Sequence, residues 1–289
     1  MSVTTKLNLT DILSLTCSRS GTCCFGKMVM LNPWELFCLA AAKEMSARVF
    51  RDKYCHSGGI QLRFDGAPGW KELRACSQYI PDFGCSVHSG RPLVCRLYPL
   101  GRQKQGDEKI YIHQGSDFPC LEGCPEVLGL PRMSVSDYIT GQAVKSFEDA
   151  QDEYLEMMQN IADGAFVLLF ESGLAESGDT KTLRLWREMG KEEPEKLVNR
   201  LGSHWIDHLM IPQFSDPQND PVSFSRHHYD LLLGKVEESF HTLVNLSDYS
   251  NASMLMMGLA LHLGRGLGAD PEELAEHWIR TAKEHGAHD

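Results

Sequence analysis

All ten cysteines of the chain lie between residues 17 and 124, and none follows. No other feature restricts the fold so much, because a segment that concentrates thiols must either pair them or place them around a shared partner. The charge divides at the same point. Residues 1–125 carry 15 Lys and Arg against 11 Asp and Glu, whereas residues 126–289 carry 13 against 28. Two domains are expected, a cysteine-cluster metal-binding domain over 1–132 and a helical domain over 133–289. The expected fold class is α+β, a small irregular cysteine-rich metal-binding domain followed by an all-α helical domain. A hydrophobic content of 42% is enough to build a core for both.

The N-terminal stretch "MSVTTKLNLTDILSLTC" has a single lysine and no apolar run long enough for a signal-peptide core. The longest apolar windows, "GAFVLLF" and "MLMMGLALHLG", fall short of a bilayer span. A cytoplasmic protein without a membrane segment is expected, and in that compartment reduced thiols point to metal or redox chemistry rather than to disulfides. The acidic second half offers no domain-wide basic face for phosphates, which argues against nucleic acid and leaves a protein partner or protein substrate. The basic run "GRQKQ" at 101–105 reads as a solvated hairpin.

Local signals supply a scaffold. Asn32 and Pro33 form an N-cap and first helical residue ahead of good helix formers, which predicts a helix over 33–46. "ARVFRDKYC" predicts a short second helix, and "IQLRF", "LRACSQY" and "KIYIH" predict short strands between Gly, Pro and Asp. Beyond residue 133 six segments show helical periodicity, which predicts five or six helices with short loops.

Thiolate is a soft donor suited to zinc or to iron–sulfur clusters, and either centre needs about four converging thiolates. Cys17, Cys23, Cys24, Cys76, Cys85, Cys95, Cys120 and Cys124 all fall in predicted loops or strand ends and are the candidate metal ligands. Cys38, inside an apolar helix face, reads as a small buried hydrophobe, and Cys55 is set aside as well. The chain has no C-x-x-C knuckle of the kind that builds zinc fingers. Adjacent Cys23 and Cys24 cannot easily face one small ion, so they suit two metals or two sides of a polynuclear site. Iron–sulfur or iron is therefore placed ahead of zinc. Arg91 and Arg96, on either side of Cys95, are candidates for cofactor binding, either offsetting thiolate charge or donating to cluster sulfurs. A framework role for both stays open.

These residues resemble a known family, the YkgJ-type cysteine-cluster proteins, described as zinc- or iron-chelating domains and including the flagellin lysine N-methylase. The matching elements are "CSRSGTCC" at 17–24, Cys76 in "ACSQY", and "GCSVHSGRPLVCRLYPL" at 84–100, followed by "CPEVLG" at 124–129. The block with Gly84, Cys85, Arg91, Pro92, Cys95, Arg96, Tyr98 and Pro99 is the specific one, and the resemblance covers about residues 10–135. It implies a zinc- or iron-binding cysteine domain and, as an alternative function, S-adenosylmethionine-dependent methyl transfer to protein lysine. One departure bears on the ligand count, since Ser20 stands where the family's first motif has its second cysteine. Cys120 would restore the count to eight, whereas seven thiolates would leave a position for water, His88, His113 or a substrate. Tyr98 and Pro99 read as packing and turn residues.

Chemistry in the second half is sparser. His204 and His208 share a helix face without the glutamate of a zinc peptidase motif, and Glu238 with His241 makes one E-x-x-H where a di-iron bundle needs two. Both pairs read as helix-surface residues, and "GRGLG" at 264–268 reads as a helix C-cap. No Ser-His-Asp signature, Walker loop or glycine-rich methyl-donor loop is visible. The helical half is expected to carry recognition and the cysteine half any chemistry.

Overall fold

The computed structural model describes residues 5–15, 21–106, 108–113, 128–214 and 220–289. The fold is α+β, with the strands of the described residues confined to the first half and helices dominating the rest. Two compact units are present. The first comprises Met1–Val29, Cys38–Phe50 and Leu62–Glu148, and the second comprises Met30–Phe37, Arg51–Gln61 and Asp149–Asp289.

Helix α1 (Pro33–Ala42) starts as its sequence dictates. The Asn32 side chain accepts from the Glu35 amide at 2.9 Å and the Glu35 carboxylate accepts from the Asn32 amide at 3.0 Å, a reciprocal capping box. The helix stops four residues short of the predicted end, because Glu44 turns to φ 54 and the Met45 amide closes back on the Ala40 carbonyl. Helix α2 (Ala47–Tyr54) follows.

Within the first unit, strands β1 (Thr5–Leu7), β7 (Leu100–Gln105) and β8 (Glu108–His113) form an antiparallel sheet in the order β1-β8-β7. The basic run is one arm of the β7–β8 hairpin, paired from Leu100 with His113 to Gln105 with Glu108. Arg102 and Lys109 form ion pairs at 3.4 and 3.5 Å with buried Glu148, which also accepts from the Tyr111 hydroxyl at 2.8 Å. Strand β2 (Ile12–Leu13) pairs with β9 (Met133–Ser134), so the residues on either side of the sheet segment return together. Of the predicted strands in between, "IQLRF" shortens to β4 (Gln61–Leu62), adjoined in the chain by β3 (Cys55–His56). "LRACSQY" gives only isolated bridges, Phe25 to Ala75 and Pro68 to Arg74, followed by a minimal hairpin of β5 (Tyr79–Ile80) and β6 (Gly84–Cys85). Gly, Pro and Asp are frequent enough here to interrupt every ladder after two residues.

Helices α3 (Leu93–Leu97) and α4 (Val135–Gly141) complete this unit, with α4 capped by the Ser134 hydroxyl, which accepts from the Asp137 amide at 3.0 Å. The helical segments beyond residue 133 number more than the five or six expected. The first periodic stretch breaks into α4 and α5 (Val144–Phe170) at Ala143, which takes φ 50. "EPEKLVNRLGSHWIDHLM" breaks into α7 (Pro194–Leu201) and α8 (Ser203–Met210) at Gly202, which takes φ 83 after its amide has donated to the Val198 carbonyl at 3.0 Å. Helices α6 (Lys181–Lys191), α9 (Pro221–Phe240), α10 (Leu246–Gly266) and α11 (Pro271–Glu284) match the remaining segments.

In the second unit α10 is the central element, with Met257, Leu259, Ala260, Leu261 and Leu263 all fully buried. Trp186, Trp278, Tyr154 and Phe224 supply the large side chains of this core, each worth about 1.5–3 kcal/mol or more in burial. After Gly266 the chain leaves the helix as expected for a C-cap, the Ala269 amide donating to the Gly264 carbonyl at 2.9 Å. Among the described residues no helix is long and apolar enough to cross a membrane.

Candidate metal centre

The loop cysteines are positioned by turns. Cys23 and Cys24 lie in a 3-10 turn of Thr22–Cys24 that Gly21 opens at φ 80, and the Cys24 amide donates to the Gly21 carbonyl at 2.7 Å. A Cβ at Gly21 would sit 2.4 Å from the Tyr79 ring, so both the backbone angle and the space require glycine. The Cys76 amide donates to the Cys24 carbonyl at 2.7 Å, which fastens the second cysteine loop to the first. Cys85 sits opposite Tyr79 in the β5–β6 pair. Cys95 is carried on α3, which begins after Pro92 where a proline ring presets the extended entry.

These five cysteines all line one cavity of about 660 Å³ in the first unit. Cys76 is buried, Cys23, Cys24 and Cys85 are half-buried, and Cys95 is exposed. Burial pushes the Cys76 thiol up to about 11, opposed by the Gln78 amide that donates to its sulfur at 3.5 Å. Burial raises Cys85 too, opposed by the Val87 amide and by the charges of Arg91 and Lys43. Both thiols are therefore neutral unless a cation replaces their protons. Among the described residues no three His, Cys, Asp or Glu side chains come together closely enough to hold an ion. Cys17, Cys120 and Cys124, and Ser20 with them, lie outside the described residues. The residues that flank their segments, Leu15 and Gly21 in one case and His113 and Leu128 in the other, line the same cavity.

The charges around the cavity are one-sided. Lys27, Arg91 and Arg132 line it, and no described Asp or Glu does. Arg91 bonds to the His88 ring and to the side-chain carbonyl of Gln142, and its Nε is buried without a partner among the described residues. Lys27 holds its ammonium 5.0 Å from the Tyr98 ring centroid, and Arg132 donates to the Ile12 carbonyl at 2.5 Å. Soft donors with cations and no carboxylate among the described lining form a set whose chemistry fits a net-negative metal–thiolate centre.

The two arginines of the "RPLVCRLYP" block have different surroundings. Arg96 is 7% exposed, and its guanidinium donates to the carbonyls of Arg91 at 2.8 Å, Gln142 at 2.8 Å and Ser89 at 2.5 Å while stacking 3.9 Å from the Phe147 ring centroid. It ties α3 to the α4 terminus and is not among the described cavity residues; three backbone carbonyls and an aromatic face lie against its guanidinium. Tyr98 and Pro99 line the cavity, and the Tyr98 carbonyl accepts from the Tyr138 hydroxyl at 2.5 Å. His88 and His113 line it as well, with burial lowering the affinity of His113 for a proton. Cys38 and Cys55 do not. Lys27, Arg132, Tyr138 and Gln142 are cavity residues that sequence reasoning missed, since each is an ordinary surface or helix residue in its own local context.

In the second unit the His204 and His208 rings lie 4.5 Å apart, and the Glu238 carboxylate is paired with Lys235 at 2.6 Å.

The five described cysteines and three cations, Lys27, Arg91 and Arg132, thus share one cavity in the first unit. Residues 16–113, about a third of the chain, match the model of the family described as "CxxCxxCC: Putative zinc- or iron-chelating domain". Comparison with curated proteins and with solved structures returned no match.

Proposed function

We propose that the cysteine domain holds a thiolate-ligated metal centre, iron–sulfur or iron ahead of zinc, at the cavity in the first unit. Cys23, Cys24, Cys76, Cys85 and Cys95 would supply ligands there, joined by Cys17, Cys120 and Cys124. The observation that carries this reading is that all five described candidates, from segments far apart in the chain, line one cavity free of described carboxylates. Cys17, Cys120 and Cys124 are included because the residues flanking their segments line it too.

Ligation would replace the protons that burial holds on Cys76 and Cys85, and the bound cation would repay the cost of placing thiolates there. Arg91 offsets thiolate charge at Cys85. When bound, an iron–sulfur centre would supply one-electron chemistry and zinc a Lewis acid. Eight thiols without a C-x-x-C knuckle favour a polynuclear centre over a single zinc. The acidic helical residues would attract a basic or lysine-bearing protein partner or substrate, an attraction that weakens with salt.

Anaerobic purification followed by iron, zinc and acid-labile sulfide analysis with an absorbance spectrum tests the metal. Coloured protein containing iron and sulfide is expected. Colourless, sulfide-free protein that holds zinc even after strictly anaerobic preparation would decide against iron, and protein holding neither metal would refute the centre.

A further inference from the structure

We propose that His204 and His208 on α8 form a two-imidazole site in the second unit for a divalent cation of the nickel, copper or zinc class that has two adjacent coordination positions open. This site goes beyond the thiolate reading and does not depend on it.

Residues four apart on a helix stand one above the other on the same face, and two histidines at that spacing can hold one metal between them. The His204 and His208 ring centroids lie 4.5 Å apart with their planes perpendicular. A metal bonded to a ring nitrogen at about 2.0–2.1 Å sits roughly 3.2 Å from that ring's centroid, so two centroids 4.5 Å apart subtend about 90° at the ion. That is the angle between neighbouring positions of an octahedral or square-planar ion. The second side-chain torsion of histidine is broad, which lets each ring aim a nitrogen at the shared point.

Both rings are available for ligation. No described residue hydrogen-bonds to a ring nitrogen of either one, in contrast to His228, whose two ring nitrogens are both engaged. His204 is exposed and His208 is half-buried. Burial, with the charges of His204 and Lys235, lowers the proton affinity of His208, so its ring is neutral at pH 7 as ligation requires. Asp207 and Glu238 bring negative charge toward His208, each balanced by one cation, Arg51 and Lys235 respectively. Among the described residues no third His, Cys, Asp or Glu completes the pair, so the other positions fall to water or to an added chelator. Imidazole suits nickel, copper and zinc, whereas magnesium and calcium take oxygen ligands. Two imidazoles hold a metal less tightly than four thiolates do, so metal retained through a chelator wash reports the thiolate centre alone.

Isothermal titration of the untagged, chelator-washed full chain with nickel nitrilotriacetate, which leaves two adjacent positions open, tests the site. One equivalent is expected to bind per chain. His204→Ala should weaken that binding by at least about tenfold, since even residues that only orient a ligand cost about 10–100-fold, and His208→Ala should do the same. The double variant should be little weaker than either single one, because one imidazole cannot fill both positions. His277→Ala, at another exposed helical histidine, and Cys95→Ser should bind like the parent protein. Should His208→Ala fail to fold, the exposed His204→Ala carries the test. No binding by the parent, undiminished binding by folded His204→Ala protein, or binding lost in Cys95→Ser, which would put the nickel on thiols, overturns the proposal. Iron, zinc and sulfide assays on the same samples separate the two ideas. Nickel binding that depends on His204 in protein retaining neither iron nor zinc supports the histidine pair and refutes the thiolate centre, whereas iron-bearing protein without such nickel binding refutes the pair alone.

Discussion

The amide of Cys76 donates to the carbonyl of Cys24 at 2.7 Å, so two candidate ligand loops are joined through their backbones rather than through their sulfurs. Because the join uses backbone atoms, serine at Cys24 or Cys76 leaves its donor and acceptor in place. Cys76→Ser and Cys95→Ser should lose metal affinity by about a hundredfold or more, since even residues that only orient a ligand cost about 10–100-fold. His204→Ala with His208→Ala should leave loading unchanged. Elemental analysis of the purified variants decides, and metal stripped by the double histidine change would move the centre to the helices.

Metal removal should unfold the first unit. Its strands are two to six residues long, and turns and isolated bridges hold the cysteine loops, so little else organises them. Chelator-treated protein is expected to lose one melting transition and keep that of the helical unit. A native-like melting curve without metal would show that the centre is not structural.

Gly21→Ala should destabilise the first cysteine turn by about 1–3 kcal/mol, the cost of a non-glycine residue held at an unfavourable angle. Here φ is 80, and the added methyl would meet the Tyr79 ring at 2.4 Å. A lowered melting temperature together with weaker metal loading is the expected readout, and unchanged values would contradict the turn's geometry.

Arg96→Lys should destabilise the same unit by about 3 kcal/mol, because an ammonium cannot reproduce a fork that spans three carbonyls or stack on Phe147. Denaturant unfolding measures it. If Arg96→Lys matched the parent protein, the framework role would be wrong.

The helical unit should lose stability in acid. His228 is fully buried, its Nε2 donating to the His208 carbonyl at 2.8 Å and its Nδ1 accepting from the Tyr154 hydroxyl at 2.9 Å, and burial lowers its proton affinity to about 4. His262 is buried with neither ring nitrogen hydrogen-bonded among the described residues, and burial lowers it to about 3. Both pKa values are depressed on folding, so the neutral forms' contribution is present above about 6.5 and is lost as pH falls from there toward 4 and 3. Unfolding monitored from pH 7 to pH 3.5 should show a steep decline that flattens in His262→Leu. Acid sensitivity unaltered in that variant would assign the effect to other groups.

Much of this protein was determined by local sequence. The Asn32 capping box, the β7–β8 hairpin and the end of α10 at Gly266 depend on residues a few positions apart, where capping and turn preferences act without tertiary help. The α+β class and the cysteine domain were legible for the same reason, since periodicity and the "RPLVCRLYP" block can be read along the chain. The helix break at Ala143 was not, because the stretch that contains it keeps helical periodicity across the break; at Gly202 the glycine is a local signal, but the apolar periodicity on both sides masks it. The cavity itself belongs to the tertiary structure. Gln142 meets Arg91 from 51 residues away and Cys24 meets Cys76 across 52, and which distant loops close on one another depends on the balance of closure entropy against burial, which leaves no mark at either residue. Lys27 and Arg132 look like ordinary surface cations in sequence, and only the fold sets them beside five thiols with no carboxylate among the described lining.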